Sequence, residues 1–66
     1  MEFKTEFLCI RDIGTYEAGR IYSVLIIAPS VYTVFKSRFV ELPVDYDEKT
    51  LFVIALQNGV MVKNGS

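Results

Sequence analysis

The sequence predicts an all-β fold, a small barrel or sandwich of five to six short strands, on three observations. Residues preferred in strands dominate: valine, isoleucine, tyrosine, phenylalanine and threonine. Pro29-Ser30, Pro43, Gly14, Gly19 and Gly59 punctuate the chain at short intervals. Between two apolar runs stands Asn58-Gly59, the preferred pair for a type I′ hairpin turn, in which both central residues need positive φ.

Residues 5–11 read as the first strand, with Phe7 and Cys9 on one face and Leu8 and Ile10 on the other. Residues 12–19, bracketed by Gly14 and Gly19, read as a loop. Residues 20–28 form the longest strand, broken by Pro29 because proline cannot donate to a ladder. Residues 31–35 return as its hairpin partner, and residues 39–42 add a short strand that ends at Pro43. Asp45, Asp47, Glu48 and Lys49 make residues 44–50 the most polar stretch. Residues 51–57 and 60–63 then pair as a C-terminal β-hairpin.

A second reading makes residues 47–58 a helix. Asp45 and Glu48 stand at the spacing of an acidic cap, and Gly59 suits a helix C-terminus. The run Leu51-Phe52-Val53-Ile54 shows no amphipathic stripe, and the hairpin is preferred.

The 66 residues read as one domain, 1–66, small enough to bury only about 60% of the surface exposed by the unfolded chain. One cysteine and no histidine exclude an intrachain disulfide and an ordinary zinc site, and no cofactor is expected. A net charge of −1 supplies no global field toward nucleic acid or an anionic membrane. The longest apolar runs, 24–28 and 51–56, fall far short of the ~20 residues a membrane span requires, so no membrane partner is expected. The start Met1-Glu2-Phe3-Lys4 lacks the pattern of a signal peptide, and a lone thiol suits a reducing compartment, so the expected location is the cytoplasm. In such a chain Asn64-Gly65-Ser66 matches a glycosylation acceptor only by coincidence.

Cys9-Ile10-Arg11-Asp12, a loop, then Ala18-Gly19-Arg20-Ile21-Tyr22-Ser23-Val24 resembles the opening of many short phage and prophage proteins. In these a Cys-Ile strand leads to a Gly-Arg-x-Tyr-x-Val strand, followed by a Tyr-x-Val strand and an Arg-Phe pair, here Tyr32-Thr33-Val34 and Arg38-Phe39. The match covers residues 5–42 and consists of turn and core positions. It implies an SH3-like barrel, a phage or prophage source with the host cytoplasm as location, and a role in binding and modulating or inhibiting a host protein. It carries over no functional residue. The chain departs from the pattern at the short, apolar Pro29-Ser30 connection and from Leu51 onward.

No enzyme is expected. A catalytic thiolate needs a base, most often histidine, and Cys9 between Leu8 and Ile10 reads as a small buried hydrophobe. Asp45, Asp47 and Glu48 lack the spacing of a calcium loop and read as a solvated turn. Arg20, Lys36 and Arg38, with Tyr32 and neighbouring aromatics, give an alternative function: a small-barrel surface for single-stranded nucleic acid. Alternating aromatics are ordinarily core, and three cations are a thin footprint.

The feature with most functional content is an apolar surplus. Residues 21–28 place Ile21, Leu25 and Ile27 on one face and Tyr22, Val24 and Ile26 on the other, and residues 51–56 are apolar on both faces too. A barrel strand has one inner face, so the surplus points to a protein–protein interface, either in a homodimer or with a host protein. The residues expected to carry it are Tyr22, Val24, Ile26, Phe52 and Ile54, assigned outward on a register that a one-residue slip would invert.

Overall fold

A computed structural model describes residues 2–63. In chain order the elements are β1 (Phe3–Leu8), β2 (Ile21–Ile26), α1 (Pro29–Arg38), β3 (Val40–Glu41) and α2 (Glu48–Gln57). The strands form one open antiparallel sheet in the order β2-β1-β3. The all-β SH3-like barrel is therefore overturned: the fold is mixed α/β, with a three-stranded sheet and a helix on each face.

β1 is the hub. Its alternating side chains put Phe7 and Cys9 into one core with Ile26 and Phe39, and Leu8 into a second with Leu42, Leu51 and Ala55. Phe7, Leu8 and Cys9 have no solvent exposure. α1 covers the first core through Val31, Tyr32 and Phe35, while α2 and the following Val60 and Val62 cover the second. The faces read for residues 7–10 hold, since Ile10 packs beside Leu8 and away from Cys9.

Two segments expected as strands are helical. Residues 31–35 lie within α1, where Pro29 stands at the start of the helix. There its fixed φ is preorganised and its missing N–H is no loss, so the proline that closes the apolar run 21–28 also begins α1. Phe35 and Phe39, four residues apart, then reach the same core as Phe7. α1 carries the chain from β2 at one edge of the sheet to β3 at the other, across β1.

The C-terminal hairpin is likewise replaced, by α2. Asp47 caps it, accepting from the Thr50 backbone N–H at 2.7 Å. Asn58 has φ −101°, which excludes a type I′ turn, while Gly59 has φ +71°. The Gly59 N–H donates to the Leu56 carbonyl at 3.1 Å and the Val60 N–H to that of Ala55 at 3.0 Å. That pair of bonds is a Schellman cap, with the Asn58-Gly59 pair ending a helix instead of turning a hairpin.

Gly19 answers two demands. The Gly19 N–H donates to the Cys9 carbonyl at 2.8 Å, and the Cys9 N–H donates to the Arg20 carbonyl at 2.9 Å, a β-bulge whose first residue has φ +89°. The C-terminal segment also lies against it: the Lys63 N–H donates to the Gly19 carbonyl at 2.8 Å, and a Cβ on Gly19 would collide with the Met61 carbonyl oxygen. Among the described residues no helix is long and apolar enough to cross a membrane.

Candidate functional site

The helix on each face covers part of the apolar surplus, and the placement of α1 inverts the expected faces of β2. Ile26 is fully buried, and Tyr22 and Val24 pack half-buried beside it beneath α1. On the opposite face Ile21 reaches the second core, but Leu25 and Ile27 stay 47% and 60% exposed, beyond the reach of α2. On α2, Ile54 packs toward the second core and Phe52 remains half exposed. Of the residues expected at an interface, Phe52 is thus exposed and Ile26 is structural.

The sheet has two edges, and they differ in how they are protected. β3 is two residues long, carries Glu41 and is followed closely by Pro43, three features that discourage further pairing. β2 runs six residues, Ile-Tyr-Ser-Val-Leu-Ile, without a charge or a proline. Its pairing with β1 fixes which of its backbone groups no strand among the described residues takes up. Gly19 and Arg20 bond to Cys9, so in an antiparallel ladder Tyr22, Val24 and Ile26 turn their groups to β1. Ser23 and Leu25 turn theirs outward, on the side flanked by the exposed Leu25 and Ile27 side chains.

The nucleic-acid set does not assemble. Lys36, Arg38 and Tyr32 lie on α1, whereas Arg20 sits at the bulge, paired with Glu17. The aromatics there pack on one another edge-on or tilted, with ring centroids 4.8 Å apart for Tyr16–Tyr22 and 5.1 Å for Tyr16–Phe39. Tyr32 donates to Glu41 at 2.5 Å, and the Lys36 ammonium lies 4.7 Å from the Tyr32 ring centroid. The Glu41 carboxylate also accepts from the Thr5 hydroxyl at 2.8 Å. Bonding to Glu41 first, then desolvation, raises the Tyr32 pKa above the ordinary tyrosine value of about 10. Desolvation, then the Glu6 carboxylate, raises Tyr46 in the same direction.

Cys9 is buried, and its thiol donates to the Arg11 carbonyl at 2.9 Å. Asp47, of the acidic stretch, is occupied as the cap of α2. Asp45 sits in the turn of residues 43–46 with φ +60°. Among the described residues no group of three or more acidic or cysteine side chains is placed to hold a metal ion. The Asn64-Gly65-Ser66 acceptor lies outside the described residues.

A feature absent from the sequence reading is a groove between α1 and the turn of residues 13–16. Its walls are Ile13, Tyr16, Val34, Phe35 and Phe39, with Arg38 at the rim, around a cavity of about 130 Å³. A broader concavity adjoins it, sharing Ile13, Arg38 and Phe39 and adding Arg11 and Lys36. The signal lay in the helical spacing of Val34 and Arg38, four residues apart, which a strand reading conceals. No family model, curated protein or solved structure matches the chain.

Proposed function

We propose that the protein is a non-enzymatic protein-binding module that pairs through the open edge of β2, with a second copy of the chain as its partner. The observation that supports this is the contrast between the edges: β3 is short and guarded, whereas β2 is six uncharged residues with outward backbone groups and exposed Leu25 and Ile27 beside them. An antiparallel pair of β2 strands about a two-fold axis would give a six-stranded sheet and cover Leu25 and Ile27 with their counterparts. A chain of 66 residues without a disulfide gains stability from such an assembly. Surfaces left free in the dimer would then engage a host protein and modulate or inhibit it, the role that the phage resemblance implies.

Light scattering over a range of concentrations tests the pairing. The expected mass is twice 7.5 kDa, falling to the monomer in Leu25→Lys, a charge placed beside the open edge. A wild-type monomer, or a dimer indifferent to Leu25→Lys, removes the proposal.

A further inference from the structure

The groove between α1 and residues 13–16 is apolar inside and basic outside, and that combination identifies an occupant. About 130 Å³ is too small for an ordinary small-molecule pocket but suits a single apolar side chain. Beside it Arg11, Lys36 and Arg38 line one concavity whose lining includes no carboxylate. Two carboxylates close to these cations in sequence, Asp12 and Glu41, have hydrogen-bond partners of their own. Asp12 accepts from the Ala18 backbone N–H at 2.9 Å, and Glu41 accepts from Thr5 and Tyr32. The ion pair found among the described residues, Arg20 with Glu17, uses neither Arg11 nor Arg38.

We propose that this groove docks an acidic segment of a partner protein, one apolar side chain entering between Val34, Phe35 and Ile13 while flanking carboxylates meet Arg11 and Arg38. The charge is complementary to the three cations, and bidentate pairing with guanidinium groups fixes the carboxylates in place. A nucleic acid would need exposed ring faces for stacking, whereas Tyr16, Phe35 and Phe39 spend theirs on one another. The inference rests on the protein-binding reading but not on the β2 edge, so a mass measurement and a peptide measurement can fail separately.

The probe is a labelled acidic peptide, Glu-Asp-Glu-Leu-Phe-Asp-Glu-Glu, followed by fluorescence anisotropy with the full chain. Saturable binding is expected, weakening with salt and weakening about tenfold or more when serine replaces the leucine and phenylalanine. Val34→Asp and Arg11→Glu, both at exposed positions, should each weaken it by about tenfold while the circular dichroism spectrum stays unchanged. Absence of binding, equal binding of the serine peptide, or indifference to both variants overturns the proposal. Tighter binding of a labelled single-stranded oligothymidine overturns it too and makes this a nucleic-acid surface.

Discussion

α1 and α2 are each ten residues long and lie on opposite faces of one sheet, yet they are held in different ways. α2 is capped at both ends and buries Leu51 and Ala55. α1 begins at Ala28 with no side-chain cap, and none of its residues is fully buried. Val31, Tyr32 and Phe35 lean on the first core, but Val34 on the same helix is 52% exposed. α2 seats Leu51 and Ala55 in the second core and leaves Phe52, Val53 and Leu56 about half exposed or more. α1 closes a core with one flank and presents the other to solvent, and the groove lies there. The difference between the helices is how deeply each is seated.

The largest expected effect tests that difference by placing the same charge on each helix. Ala55→Asp buries an unpaired carboxylate and should cost about 4 kcal/mol or more, enough to unfold a domain of this size. Val34→Asp should stay within about 0.5 kcal/mol, since the site already faces water. Urea denaturation of both variants measures the difference, and comparable losses would mean that α1 is seated as deeply as α2.

Caps give a smaller and opposite pair. Asp47→Ala removes the bond to Thr50 and should lower stability by about 1 kcal/mol. Ala28 already holds an extended conformation, φ −155° and ψ 153°, so Ala28→Asp can supply the missing cap of α1 and should raise stability by about 0.5–1 kcal/mol. Thermal melts that show no gain from Ala28→Asp would place the weakness of α1 elsewhere than at its start.

The smallest effects appear with pH. Bonds from the Thr50 hydroxyl and backbone N–H hold the Asp47 carboxyl below the ordinary aspartate value. Its folded pKa is depressed, so its contribution is present above the unfolded value of about 3.9 and fades as pH falls through the folded value. Asp47→Ala should flatten that part of the acid limb. Tyr32 and Tyr46 are raised, so their contributions are present below about pH 10 and fade as pH rises through the folded values. Ultraviolet titration of Tyr32→Phe should show the loss of one late-titrating phenol.

Much of the sheet was legible in the sequence. The alternation of Phe7 and Cys9 against Leu8 and Ile10 is local, and β3 falls inside the expected strand of residues 39–42. The two faces of β2 were separated correctly, but alternation cannot say which face points inward. That depends on α1, which arrives from elsewhere in the chain. α1 is hidden in the sequence because Val31, Tyr32, Thr33, Val34 and Phe35 are strand formers, and Pro29 reads as a break when it also opens a helix. α2, the second reading, is obscured because its apolar residues surround the helix and blur the stripe of Leu51, Ile54 and Ala55. The groove was hidden for the same reason, since one wall is α1.

β1 has a consequence for the order in which the protein can be made. It is the first of the elements in chain order, and it supplies a fully buried residue to each core, Phe7 on one face and Leu8 on the other. Its cover on the second face waits for Leu42, Leu51 and Ala55, several seconds of synthesis later at ordinary elongation rates. Until then Leu8 and Ile10 lack their cover, and a nascent chain that exposes apolar side chains in this way is a natural client for chaperones. Once α2 docks, both cores close on the same strand, and neither half can open far without the other.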